Sequence, residues 1–238
     1  MKKSILIIGG GSGIGEKLLN EYKKKYNVIA TYKDTKPKLN GDNLFKLDIS
    51  RLKEIRKFVK WLLLKKIKID YILLIAAHTG SNVNSSKTQD KTVFLKGLSS
   101  KQFEFYLKIN CINPVLLFEL LFQKQVLTNE CRAIFFSSLA GSISLRGKML
   151  HNKIGGNMLY RISKSALNSA IKSISYDLSK TKMIIIALHP GWVRTKSGGK
   201  SADLSVAYSA KKIYELIFKL NLKHNGKFLN YDGKELKW

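Results

Sequence analysis

Short apolar runs alternate with longer amphipathic stretches along the whole chain. Residues 5–8 form a continuous apolar run before a series of glycines, which is typical of a strand buried on both faces of a parallel sheet. Regular alternation of strands and helices favours such a sheet with helices on both sides. The pattern predicts strands at residues 5–8, 28–32, 44–47, 71–77, 133–136, 183–188 and 227–230.

The amphipathic stretches predict helices between these strands, at residues 14–26, 49–64, 102–127, 160–180 and 205–220. Pro114 lies inside the third of them and predicts a kink or a break there. Residues 80–91 are polar and without periodicity, as in a loop. With no linker, repeat or change of composition, residues 1–238 are predicted to form a single α/β domain with a doubly wound parallel sheet.

Composition places the chain among ordinary globular proteins, with 45% hydrophobic and 25% charged residues among 238. The longest apolar run, near residues 71–77, is far shorter than the roughly 18 residues that a membrane span needs, so we expect no span. The apolar start, residues 5–8, is also shorter than the roughly 7–15 residues of a secretion signal. Cys111 and Cys131 cannot build a disulfide framework, which predicts a reducing compartment and a cytoplasmic protein.

The formal net charge of +27 makes nucleic acid or an anionic membrane the first partners to consider. The lysines are spread along the chain and no nucleic-acid-binding motif is recognisable. A general lysine bias is therefore favoured over a dedicated polyanion site, and specific nucleic-acid binding is not expected. A polyanion-binding protein is the least favoured functional alternative.

A glycine series lies between the first predicted strand and the first predicted helix. Bare backbone N–H groups and a helix N-terminus at such a turn can hold a pyrophosphate. The common dinucleotide spacing G-x-G-x-x-G cannot be placed on it, whereas G-x-x-x-G-x-G fits Gly9, Gly13 and Gly15.

Tyr160 and Lys164 are four residues apart and therefore share one face of a helix. A free phenol has a pKa of about 10, so a nearby ammonium is needed to make tyrosine an effective acid or base. The spacing alone also suits a solvated helix face in a lysine-rich chain. The glycine series, Asn110 and Ser138, which precede the pair, favour the catalytic interpretation.

The motifs, in this order, resemble the short-chain dehydrogenase/reductase family, and the resemblance covers the whole chain. Residues 189–195 and the ending 231–238 look most like its branch of C-factor and sniffer-type carbonyl reductases. The resemblance implies a Rossmann-like fold and a catalytic set of Asn110, Ser138, Tyr160 and Lys164. It implies cofactor contacts from Gly9, Gly11, Ser12, Gly13, Ile14, Gly15, Lys33, Asp48, Ile49, Ala76, Ala77, Tyr160, Lys164, Pro190, Gly191, Val193 and Thr195.

Three departures from the family pattern stand out. Ile8 replaces a threonine that ties the glycine turn to its strand, which predicts a lost hydrogen bond. Residues 74–77 read Leu-Ile-Ala-Ala instead of Asn-Asn-Ala-Gly, so support for the central sheet must come from elsewhere. Ser138 and Tyr160 are farther apart than in most members, so the loop 142–157 is longer.

The end of the second strand decides the cofactor, because NAD enzymes place an acid there and NADP enzymes a cation. Lys33 follows the strand and no acid precedes it, which favours NADP(H). Asp34 comes next, so NAD(H) stays open.

The resemblance implies hydride transfer between nicotinamide and a carbonyl or alcohol substrate, with Tyr160 as general acid/base. It also implies a homo-oligomer, a dimer or tetramer. A cofactor-binding sensor of the C-factor type, with little turnover, is the main alternative. The sequence does not identify the substrate. No metal site is predicted, because the four histidines are scattered without ligand spacing and are interpreted as structural: His78, His151, His189 and His224.

Overall fold

The computed structural model describes residues 2–38, 43–80, 99–148 and 157–238. They build one seven-stranded parallel sheet in the order β3-β2-β1-β4-β5-β6-β7. The strands are β1 (Ser4–Ile8), β2 (Asn27–Tyr32), β3 (Leu44–Lys46), β4 (Ile69–Leu74), β5 (Leu127–Phe136), β6 (Ile184–His189) and β7 (Phe228–Asn230). The predicted doubly wound parallel sheet is confirmed.

Within the described ranges, six α-helices cover the sheet: α1 (Gly13–Tyr22), α2 (Leu52–Leu64), α3 (Ser100–Leu107), α4 (Asn113–Gln123), α5 (Met158–Asp177) and α6 (Val206–Lys219). Successive residues of β1 point to opposite sides, so that Leu6 joins a core with α2, α4 and α5. Ile7 joins the other core, with α1 and α6. Both faces of the sheet are therefore buried, which explains the uninterrupted apolar character of the central strands.

The helix predicted at residues 102–127 is interrupted close to Pro114, as predicted, but it ends at Gln123, four residues earlier than predicted. A π-helical turn, Lys108–Ile112, separates α3 from α4, and Pro114 lies in the first turn of α4, where a missing N–H is tolerated. After α4, Gln125 takes a φ of 53° and the chain enters β5 at Leu127, six residues before the predicted strand start. The sequence pattern does not predict this earlier start, because residues 129–130 are polar and exposed, unlike the apolar residues of the predicted strand.

One helical stretch among the described residues, Ser100–Gln123, is long and apolar enough to cross a membrane by length and composition alone. Packing explains part of its apolar character, because Leu117, Phe118 and Leu121 are buried against the sheet. A core helix of a soluble protein has the same properties.

Parallel strands bring all their carboxyl ends to one edge of the sheet, which we call the cleft edge. β1 and β4 are neighbours there, although the chain runs from β1 to β2 and β3 before it reaches β4. Ligands of doubly wound sheets bind at such a switch point. The predicted site segments follow β1, β4, β5 and β6 and therefore meet at the cleft edge.

Candidate active site

The glycine turn leaves β1 at the switch point and is tied to β2 instead of β1. The Gly9 N–H donates to the hydroxyl Oγ1 of Thr31 at 3.2 Å, and the Gly10 N–H donates to the Thr31 carbonyl at 2.8 Å. Thr31 is buried at the end of β2. The bond expected to be lost with Ile8 is thus supplied by a threonine of the neighbouring strand, a contact that sequence reasoning did not find.

One position in the turn, Gly9, and one in the first turn of α1, Gly15, require glycine. Gly9 has a φ of 100°, which is in the left-handed region, and a Cβ there would lie 2.9 Å from the backbone nitrogen of Ala76. A Cβ on Gly15 would clash with the Gly9 carbonyl oxygen. The turn therefore packs backbone on backbone. Helix α1 begins directly after it, with no side-chain cap from Ser12, so its first N–H groups are available to an anion.

At the other end of the cleft, Lys33 forms an ion pair with Asp48, with 3.2 Å between Nζ and Oδ2. Burial raises the pKa of the Asp48 carboxyl. Hydrogen bonds from Ser50 and the ion pair with Lys33 outweigh that effect and hold the pKa below its usual range. Arg51 lies farther away, with its Nε 3.9 Å from the same oxygen. The cation predicted to select the cofactor thus already has an anionic partner.

Tyr160 and Lys164 stand on one face of α5, with the lysine Nζ 5.8 Å from the centroid of the phenol ring. Lys164 is 2% exposed, and its Nζ donates to the Phe136 carbonyl at 2.6 Å. Burial lowers the pKa of Lys164 to about 8. The ammonium is therefore held against the end of β5, directly below the phenol.

The phenol of Tyr160 interacts with the Ser138 side chain. Burial raises the pKa of Tyr160, and a hydrogen bond with Ser138 lowers it in part. Sequence reasoning gave the lowering role to Lys164, whereas Ser138 supplies it in the structure. Ser138 is fixed in turn, because its Oγ accepts the Ala140 N–H at 3.1 Å and begins a short 3₁₀ turn.

Asn110 lies in the π-helical turn and uses its whole amide group. Its Oδ1 accepts the His78 N–H at 2.7 Å, while its Nδ2 donates to the His78 carbonyl at 2.7 Å and to Ser163 Oγ at 2.9 Å. Asn110 is buried. It therefore clamps the segment after β4 to α5, which is the support for the central sheet that the Leu-Ile-Ala-Ala sequence does not supply.

The segment after Ser138 is held by residues almost a hundred positions later. Ser142 Oγ donates to the Lys237 carbonyl at 2.7 Å, and the Ser144 N–H donates to the Trp238 carbonyl at 3.0 Å. The Trp238 ring stacks on Phe228 with 5.4 Å between centroids. Residues 149–156 of the predicted loop 142–157, His151 among them, and most of the predicted loop 80–91 lie outside the described residues.

A cleft of about 560 Å³ runs from the glycine turn past Asp48 to Tyr160. Fourteen of the predicted site residues line it: Gly9, Gly11, Ser12, Gly13, Ile14, Lys33, Asp48, Ile49, Ala76, Ala77, Tyr160, Lys164, Pro190 and Thr195. Five predicted site residues do not line the cleft: Gly15, Asn110, Ser138, Gly191 and Val193. Their predicted roles stay predictions.

Several lining residues were not predicted, among them His78, Thr79, Phe105 and Lys196. His78 was interpreted as structural, and its ring does pack edge-on against Phe105 at 5.0 Å between centroids. His189 is different, since burial lowers its pKa to about 4 and its Nδ1 is buried without a hydrogen-bond partner among the described residues. Position directly after β4 was the signal that could have pointed to His78.

The family model of short chain dehydrogenases matches residues 3–204. The chain is 41% identical to C-signal of Myxococcus xanthus over 95 residues, which cover 40% of this chain and 57% of C-signal. Its fold matches the carbonyl reductase Sniffer of D. melanogaster, with a TM-score of 0.80, 27% identity and all of both chains covered. It also matches an NADPH-bound carbonyl reductase from chicken fatty liver, with a TM-score of 0.81 and 25% identity. The match covers 100% of this chain and 99% of the reductase.

The chain therefore belongs to the short-chain dehydrogenase/reductase family of NAD(P)-dependent oxidoreductases. The resemblance drawn from the sequence motifs is confirmed.

Proposed function

We propose that the protein is an NADP(H)-dependent reductase of carbonyl compounds that uses Tyr160 as its general acid. The observation that carries this proposal is that Tyr160 and Lys164 line the same cleft as the glycine turn. One continuous site can then hold a dinucleotide and present a proton donor to a substrate.

The cleft fits the cofactor. The close backbone packing at Gly9 and Gly15 and the uncapped start of α1 suit a pyrophosphate. Lys33 supplies a cation at the adenosine end, where a 2′-phosphate would compete with Asp48 for it. Binding of NADPH by the carbonyl reductase from chicken fatty liver supports the same choice here. Thr195 and Pro190 would hold the nicotinamide end.

When bound, the nicotinamide supplies the hydride. Tyr160 gives its proton to the substrate carbonyl oxygen, and Ser138 hydrogen-bonds that oxygen as it gains negative charge. Lys164 favours the phenolate left behind. Burial raises the pKa of Tyr160, so at neutral pH the phenol carries the proton that a general acid needs. Asn110 keeps α5 and the end of β4 in register beneath the substrate.

A cofactor-binding sensor with little turnover is the second candidate, favoured by the 41% identity with C-signal. The two candidates differ in turnover, because both bind the cofactor. The single-domain organisation over residues 1–238, the homo-oligomer and the cytoplasmic location are parts of the same proposal.

The experiment is a panel of aldehydes, ketones and quinones assayed with NADPH and NADH, followed by Tyr160→Phe. We expect the variant to lose about 10²–10⁴-fold in turnover, since the ring stays and the transferable proton goes. Its affinity for NADPH should be nearly unchanged.

Tyr176→Phe is the matched control, because Tyr176 lies on the same helix and is 80% exposed. Full turnover by Tyr160→Phe would refute the proposed mechanism. A wild type that binds NADPH but reduces nothing on the panel would favour the sensor.

A further inference from the structure

The edge of the sheet opposite the cleft is made almost entirely by lysine-bearing connections. In a parallel sheet, every segment that enters a strand reaches this edge. Six such segments are described, at residues 2–3, 23–26, 65–68, 124–126, 178–183 and 220–227. They contain thirteen lysines and no aspartate or glutamate among 27 residues, against 43 Lys and Arg in 238 for the whole chain. We call this surface the lysine edge.

These lysines face solvent. All but Lys227 are exposed. Ion pairs join Lys24, Lys182 and Lys227 to glutamates. The acidic groups that flank the lysine edge or pair with its lysines are Glu21, Asp70, Glu130, Asp177 and Glu235. They are far fewer than the lysines, so the surface is strongly positive over six neighbouring strands, a span of about 24 Å at the usual strand spacing.

Large exposed apolar side chains are concentrated at the same edge. Leu63 and Leu64 end α2 and are 41% and 74% exposed. Phe122 and Tyr176 lie one residue before the ends of α4 and α5, and Leu222 lies in the segment before β7. These five are among nine exposed large hydrophobic residues of the described chain. Lysines with leucine and aromatic side chains between them are the composition of surfaces that lie in a membrane interface.

Two simpler explanations account for only part of this surface. Cations at helix C-termini complement helix dipoles, but one lysine in each last turn would be enough for that. Nucleic-acid binding would also use positive charge, but it favours arginine and a groove or motif. The six segments contain no arginine. Neither helix dipoles nor nucleic-acid binding explains the exposed leucines beside the lysines.

We propose that the lysine edge docks this protein on an anionic lipid bilayer. The ammonium groups contact lipid phosphates, and Leu64 and Leu222 enter the interface between headgroups and acyl chains. Because strands of about six residues separate the two edges by about 20 Å, the cleft then opens away from the bilayer. Docking does not depend on the proposed chemistry, because the two surfaces share no residue.

The test is sedimentation of the full-length chain with vesicles of phosphatidylcholine alone or with about 30 mol % phosphatidylglycerol. We expect binding to the anionic vesicles only. Replacing Lys23, Lys24 and Lys25 together with glutamine should reduce the partition coefficient by about ten-fold or more. Leu64→Gln with Leu222→Gln should reduce the binding that persists at about 0.5 M salt, where charges are screened.

The matched control replaces Lys148, Lys200 and Lys234 with glutamine, which gives the same net charge but acts on exposed lysines after β5, β6 and β7, at the cleft edge. Equal losses in both triple variants would overturn the proposal, because net charge alone would then explain binding. Failure to bind anionic vesicles, or binding to a single-stranded RNA homopolymer instead, would also overturn it. Circular dichroism of each variant identifies a loss of folding. If a lysine variant does not fold, the variant with Leu64→Gln and Leu222→Gln tests the proposal independently.

Discussion

At the scale of single residues, Lys164 is a buried cation, and its burial lowers the stability of the fold. Burial lowers its pKa from the ordinary 10.5 to about 8, so the folded state binds the proton less well than the unfolded state. This shift opposes folding at and below pH 8, and the opposition is relieved as the pH rises from about 8 to 10.5. Stability therefore does not account for a lysine at this position, whereas the proposed role beside Tyr160 does.

Lys164→Met should abolish turnover and yet stabilise the fold at pH 7. The pKa shift corresponds to about 3 kcal/mol, and the lost hydrogen bond to Phe136 offsets much of it, which leaves a gain of about 1 kcal/mol. Urea unfolding at pH 7 and pH 10 checks both the sign and the pH dependence. A variant less stable than the wild type at pH 7, or a gain equal at both pH values, would contradict the interpretation.

Lys33→Gln should lower NADPH affinity about ten-fold and change NADH affinity little, because only NADPH carries the 2′-phosphate. Titration of intrinsic fluorescence with each cofactor measures this. Lys46→Gln, an exposed lysine on β3, is the control. An equal loss of affinity for NADPH and NADH would show that Lys33 does not bind the 2′-phosphate.

At the scale of elements, the π-helical turn between α3 and α4 positions the clamp made by Asn110. Widening the helix for one turn is a frequent feature of functional sites. Here the turn brings one amide within hydrogen-bond distance of both the His78 backbone and Ser163 on α5. The register between β4 and α5 thus depends on one buried side chain.

Asn110→Asp keeps the shape of that side chain but replaces a donor with an acceptor that faces the His78 carbonyl. We expect a loss of about 1–3 kcal/mol in the free energy of unfolding. Asn129→Asp, on an exposed part of β5, should be close to neutral. Chemical denaturation of both variants tests this. Unchanged stability in Asn110→Asp would mean that the hydrogen bonds of Asn110 do not stabilise the fold.

Elements with strong local signals were predictable from the sequence, and contacts between distant elements were not. The β1 run and the glycine turn are local patterns, and both were placed correctly. Thr31 replaces the missing threonine from a strand 22 residues away, so no reading of the turn alone could find it. The early start of β5 was missed because its residues are polar, and pairing with β4 determines it.

At the scale of the whole molecule, the family resemblance predicts a dimer through α3, α4 and α5. Ile112 is 47% exposed in this helical region, away from the lysine edge. Light scattering at physiological ionic strength should give at least twice the 27.0 kDa chain mass. Ile112→Glu should dissociate the assembly, and Ile143→Glu, at a 76% exposed position, should not. A monomer under these conditions would refute the prediction.

The hydrogen bonds of Ser142 and Ser144 to residues 237 and 238 set an order of events during synthesis. The ribosome adds about 5–20 residues per second, so the segment beside Ser138 waits on the order of 5–20 s for its anchors. The glycine turn and β2 are made much earlier and can pair with each other in that time. The glycine turn is therefore made well before the residues that anchor the segment beside Ser138.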